Sequence, residues 1–83
     1  MNVELTDRAR ADLEKLPEII HVRILRIFER LAAWPEVSGA KPLSGKLAGR
    51  YRMRTGDYRV QFSVRENVVM VEKIGHRDRF YEG

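Results

Sequence analysis

No cysteine occurs anywhere in these 83 residues. Disulfides, thiolate metal centres and a cysteine nucleophile are excluded, so so small a core must rest on side-chain packing alone. The lack of cysteine also suits a reducing compartment. Histidine is nearly as scarce: His21 and His76 stand far apart, without HxxxH or comparable ligand spacing, and no metal site is expected. No apolar run approaches the roughly 20 residues that span a bilayer. The opening "MNVELTDRARADLEKL" is charged throughout, unlike a secretory signal. Repeats and low-complexity tracts are missing too. The expectation is one domain over residues 1–83, cytoplasmic, with no membrane partner and no cofactor. "SGKLAG" superficially resembles a phosphate loop but lacks the GxxxxGK[ST] spacing and a preceding strand. No serine stands in evident register with a base.

What the chain does have is positive charge, unevenly placed. Its net charge is +4, yet residues 1–40 carry six Lys/Arg against seven Asp/Glu, and residues 41–83 carry ten against five. A polyanion is the favoured partner, and the C-terminal half is its footprint.

Patterning gives an order of elements. Val3-Glu4-Leu5 reads as a short strand, and Thr6 or Asp7 caps a helix in which Ala9, Leu13 and Leu16 share a face. Pro17 stops that helix and opens a second, whose stripe is Ile20, Ile24, Ile27, Leu31 and Trp34, with Phe28 at its edge. Arg23, Arg26 and Arg30 lie opposite, His21 falls on the polar side, and Pro35 ends the element. "PEVSGAKPLSGKLAG" reads as a loop. The period then changes to two. Arg50, Arg52 and Arg54 point one way and Tyr51, Met53 and Thr55 the other; Gly56-Asp57 turns the chain. Tyr58, Val60, Phe62 and Val64 oppose Arg59, Gln61, Ser63 and Arg65, Glu66-Asn67 turns it again, and "VVMVEKI" suits an interior strand. The predicted class is α+β, in the order β-α-α-β-β-β: two N-terminal helices cover the apolar face of an antiparallel meander. Its arginine face is left open.

A solvated sheet face would mix its charges, because like charges on adjacent strands repel. Here Arg50, Arg52, Arg54 and Arg59 share a face with Glu72 as the one obvious counterion, and arginine's planar fork matches phosphate bidentately. The pattern points to an anion site, which Arg77, just past the last strand, extends.

"PLSGKLAGRYRMRTGDYRVQF" together with the terminal "VEKIGHRDRFY" resembles the RelE/ParE superfamily of type II toxins, over nearly the whole chain. The resemblance implies a compact antiparallel sheet with two N-terminal helices. It also implies a RelE-like, ribosome-dependent endoribonuclease that cuts mRNA in the ribosomal A site, the ribose 2′-hydroxyl attacking the adjacent phosphate. The implied partners are a cognate antitoxin protein and the 70S ribosome with its mRNA; operator DNA is reached only indirectly, through the antitoxin. Carried across residue by residue, the implied catalytic set is Arg50, Arg52, Arg59, Arg77 and Tyr81, with Arg54 and His76 as accessory candidates. Tyr81 has a shorter spacing than in some members. Positions 50 and 52 are often lysine in RelE-type members, whereas arginine stays charged and cannot serve as general base. These two arginines are expected to stabilise charge on the phosphorane oxygens and Arg59 to hold the phosphate, with Arg77 at the leaving oxygen. Base duty is left to Tyr81, His76 or a ribosomal group. Two alternatives stand beside this: a ParE-type toxin that inhibits DNA gyrase without cutting RNA, and a basic binding module without activity.

Overall fold

In the computed structural model, which describes residues 1–80, the chain begins at the sheet edge. Strand β1 (Asn2–Leu5) runs into helix α1 (Asp7–Glu14). Thr6 is the N-cap: its hydroxyl accepts the Ala9 N–H at 3.1 Å, and Asp7 places a carboxylate in the first turn, where the helix dipole favours it. Pro17 occupies the N-cap position of α2 (Glu18–Leu31), where its missing N–H costs nothing. The helix closes at Leu31, and hydrogen-bonded turns carry the chain on to Trp34.

The expected loop holds one further pairing. A two-residue strand β2 (Lys41–Pro42) is followed by a 3-10 turn (Gly45–Leu47). Strands β3 (Arg50–Thr55), β4 (Tyr58–Arg65) and β5 (Val68–His76) form the predicted meander, and a short helix α3 (Arg77–Phe80) follows directly. The five strands lie in the order β1-β5-β4-β3-β2. All neighbours are antiparallel except β1, which pairs parallel to β5 and makes that strand interior.

Ala9, Ile24, Ile27 and Leu31 from the helices meet Met53, Val60, Phe62, Val69, Val71 and Ile74 from the sheet in one buried cluster. Trp34 packs edge-on against Tyr51 and Phe62, at 4.8 and 5.5 Å between ring centroids. These are the stripes and alternations read from the sequence. Apolar residues also reach the outer side of α2, where Ile19, Val22 and Leu25 are exposed.

Two departures from simple alternation shape the other face. The buried positions of β5 run 69, 71, then 74, because the register against β4 shifts between Gln61 and Phe62. Val71 faces Phe62 and Lys73 faces Gln61, so Glu72 is an inserted bulge residue. Moreover, the arginine face is not wholly open. Phe80 is buried although it lies on the short α3. Gly75, the partner of Arg59 in the ladder, leaves room for it: a Cβ there would stand 3.6 Å from Phe80 Cδ1. Lys73 extends over the same ring, 4.6 Å from its centroid. Desolvation, with the Arg8 charge adding to it and Asp12 opposing, lowers the Lys73 ammonium below the ordinary lysine pKa.

Candidate active site

Cross-strand register arranges the arginine face in rows. Arg50, Ser63, Met70 and Glu4 are successive partners across β3, β4, β5 and β1. The next row holds Lys41, Arg52, Gln61 and Lys73. The third holds Arg54, Arg59 and Gly75. Four residues of strand separate the first row from the third, about 14 Å at the usual rise. The arginines therefore line a track rather than surround one point.

At the first end Glu72, which follows buried Val71 and so falls on the arginine face, meets the first row. Arg50 Nε donates to Glu72 Oε1 at 2.9 Å, Gln61 Nε2 donates to the same oxygen at 3.3 Å, and Ser63 Oγ donates to Oε2 at 3.3 Å. The expected counterion is thus in place. Both side chains of the ion pair keep solvent contact, 39% for Arg50 and 22% for Glu72, so its net contribution is on the order of 1 kcal/mol. Gln61 and Ser63 are the polar residues that alternate with the core positions of β4. Which of them would reach Glu72 depends on cross-strand register, which alternation alone leaves open.

At the other end Arg54 and Arg59 face each other directly in the ladder. Arg59 Nη1 donates to the carbonyls of Gly56 and Tyr58, at 3.0 and 3.3 Å, which fixes the direction of the guanidinium. The Gly56-Asp57 turn gathers the segment that follows β5. Asp57 O accepts the Arg77 N–H at 2.7 Å, while its carboxylate lies 3.6 Å from Arg77 Nε and 3.9 Å from His76 Nε2. His76 Nδ1 accepts the Asp78 N–H at 3.1 Å and lies 3.5 Å from the Asp78 carboxylate. Tyr58 packs edge-on against the His76 ring at 5.3 Å. Asp57, read from the sequence only as a turn residue, is therefore the anchor of Arg77 and His76.

The structure so divides the sequence-predicted residues: Arg50 at one end, Arg52 in the middle row, Arg54 and Arg59 at the other end, and Arg77 just past β5, while His76 pairs with Tyr58 and packs on its ring, on the side of the sheet away from Arg59. Tyr81 lies outside the described residues. His21 lies on α2 and is no part of the track. Among the described residues no group of three or more His, Asp or Glu side chains is placed to hold a metal ion, and no helix is long and apolar enough to cross a membrane.

Comparison with known proteins agrees with this fold. Residues 3–81 match the family described as the ParE toxin of type II toxin-antitoxin systems. Toxin RelG of Mycobacterium tuberculosis is 34% identical over 82 residues, covering 95% of this chain and 93% of the relative. A chain in the crystal structure of the M. tuberculosis RelBE2 toxin-antitoxin complex superposes with a TM-score of 0.81 at 33% identity, over 92% of this chain and 90% of that one. The isolated Escherichia coli RelE toxin shares the fold, with a TM-score of 0.76 at 18% identity over 90% of this chain and 82% of that one. A family match over almost the full length, a relative above 30% identity and a common architecture place this chain in the RelE/ParE superfamily of type II toxins.

Proposed function

We propose that this toxin acts as a RelE-type, ribosome-dependent endoribonuclease on mRNA in the ribosomal A site. The observation that carries the reading is the direct opposition of Arg54 and Arg59 beside the anchored Arg77. Like charges at opposed ladder positions destabilise a sheet, and an anion between them reverses the sign. Phosphoryl chemistry is served by cations fixed before the substrate arrives, because no reorganisation is then needed as charge develops.

In the proposed reaction the 2′-oxygen attacks phosphorus and the bond from phosphorus to the 5′-oxygen breaks, leaving a cyclic phosphate and a free 5′-hydroxyl. Arg59 holds the phosphate and Arg77 faces the leaving oxygen; Arg52, one row away, stabilises the phosphorane oxygens, and Arg50, at the far end of the track, meets a neighbouring phosphate of the strand. The 2′-hydroxyl proton goes to Tyr81 or to a ribosomal group, and the departing 5′-oxygen takes up a proton from water. His76 Nδ1 already accepts the Asp78 N–H and its ring packs on Tyr58, away from Arg59.

The partners follow the same reading. Solved structures of similar fold include toxin-antitoxin complexes, among them M. tuberculosis RelBE2 and Methanococcus jannaschii RelB-RelE. We assign this chain a cognate antitoxin, with the ribosome and its mRNA as the target. The family match carries the ParE name, which favours a second reading: inhibition of DNA gyrase without RNA cleavage. Primer extension on a translated message during induction separates the two. Cuts within codons support the nuclease; intact messages with DNA-damage signalling support the gyrase inhibitor.

A further inference from the structure

A cleft of about 520 Å³ opens on the arginine face, beside the first row and away from the Arg54–Arg59 end. Its volume lies within the range of small-molecule sites. Its charge is not that of a phosphate site: Arg50 and Arg65 are outnumbered by Glu4, Glu66 and Glu72. Between them lies Met70, in register with Ser63 on one side and Glu4 on the other. A flexible thioether with apolar neighbours such as Val68 makes a floor for a flat ring, since sulfur packs favourably against aromatic systems.

We propose that this cleft is a nucleobase subsite that selects guanine, with the Glu72 carboxylate as its reading group. The Watson–Crick edge of guanine runs from an acceptor, O6, to two adjacent donors, N1–H and N2–H₂. The cleft presents the complement in the same sequence. Ser63 Oγ is the donor for O6, and the two carboxylate oxygens of Glu72 beside it are the acceptors. The bulge in β5 falls at this point and sets Glu72 and Lys73 side by side on this face, and bulges are common beside functional sites. Glu72 can receive the base without breaking its tether. Arg50 holds it at 2.9 Å, whereas the bonds from Gln61 and Ser63 are long, 3.3 Å each, and the Ser63 hydroxyl turns freely. Uracil fits poorly: its single ring N–H is flanked by two carbonyl oxygens, which a carboxylate repels. Adenine and cytosine each set one amino group beside a ring acceptor, with the same conflict at one oxygen.

The inference rests on the RNA reading above and adds to it which base is held beside the arginine track. It is tested on the full-length chain without ribosome or RNA cleavage, by titrating guanosine, GMP and UMP and following amide and methionine-methyl resonances. The expected result is saturable movement of Ser63, Met70 and Glu72 with guanosine and GMP. UMP should bind at least about fivefold more weakly, since one good bidentate contact discriminates by about 1–3 kcal/mol. Glu72→Gln should bring GMP to the level of UMP and leave UMP no weaker, with a native spectrum elsewhere as the control of folding. Ser63→Ala, which keeps the carboxylate, should lose less than Glu72→Gln. Equal affinity for GMP and UMP, or shifts confined to Arg54, Arg59 and Arg77, would overturn the subsite. Because the readout is binding, the two readings fail separately. A chain that cuts mRNA but does not prefer guanosine loses the subsite; one that holds guanosine in the cleft but leaves messages intact loses the nuclease.

Discussion

Arg54 and Arg59 are direct partners across the β3–β4 ladder, two guanidinium groups at a position where a sheet built only for stability would place opposite charges or none. Arg59 keeps its place through two carbonyl acceptors rather than a carboxylate. Its removal should therefore cost the fold little, because relief of repulsion offsets two partly exposed hydrogen bonds. Arg59→Ala should unfold within about 1 kcal/mol of the parent. Toxicity should fall about a hundredfold or more, the usual loss for one transition-state donor. Denaturant melts and growth on induction measure the two sides. A folded Arg59→Ala protein with full toxicity would remove this residue from the site.

Asp57 links the hairpin turn to the start of α3 by its carbonyl and its carboxylate separately. Asp57→Ala keeps the carbonyl, so the Arg77 N–H remains bonded, and exposed ion pairs of this kind are worth at most about 1 kcal/mol. Stability should be nearly unchanged, while cleavage drops because Arg77 loses the group that orients it. Asp57→Asn should recover part of the loss. Activity equal to the parent in Asp57→Ala would show that Arg77 does not need the carboxylate.

Gly75 is required by a neighbour rather than by its backbone. A Cβ at 3.6 Å from Phe80 Cδ1 is an ordinary contact, so Gly75→Ala should be nearly neutral. Gly75→Leu forces Phe80 off the face beside Arg59 and should destabilise by about 1–3 kcal/mol, as overpacking does. Thermal melts of the two variants make the comparison, and equal loss in both would point to the backbone instead.

These relations mark the limit of what the sequence discloses. Apolar spacing identified both helices and the meander, since Ile24, Ile27, Leu31, Val60 and Phe62 are buried at the positions that periods of 3.6 and 2 require. The same alternation put the arginines on one face. The parallel pairing of β1 with β5 joins segments some 66 residues apart, and no local pattern encodes it. The Glu72 bulge breaks the period that strand reading depends on. Phe80 follows directly on the charged run "HRDR", where a buried aromatic has no periodic context. The division of the arginine set into two ends depends on register, which strand alternation leaves open.

Arg50 and Arg52 should respond to charge more than to shape. Lysine at either position should keep much of the activity and alanine should lose most of it, if both act on phosphate oxygens. Arg50 should be the more sensitive to lysine, because its Nε contact with Glu72 needs the guanidinium. Tyr81→Phe, which removes only the hydroxyl, should impair single-turnover cleavage more than ribosome affinity if Tyr81 accepts the proton. Parallel loss of both would make Tyr81 a docking residue, and unchanged cleavage would leave the ribosome as proton acceptor.

The antitoxin should meet this toxin through the same charges. Residues 41–83 carry ten Lys/Arg against five Asp/Glu, and a short acidic segment that folds on binding is the economical complement. Such a segment should cover the arginine track or displace the chain beyond Phe80, and either route blocks the site. Co-purification from the native operon should recover the pair. Because opposite fields steer encounter, the association rate should fall steeply with ionic strength while dissociation changes little. Stopped-flow mixing across a salt series reads this directly. Reversing the charge of an exposed arginine on the track, as in Arg54→Glu, should slow association further and flatten the salt dependence. A rate indifferent to salt, with a toxin expressed harmlessly alone, would mean that the arginine face is not the surface the antitoxin neutralises.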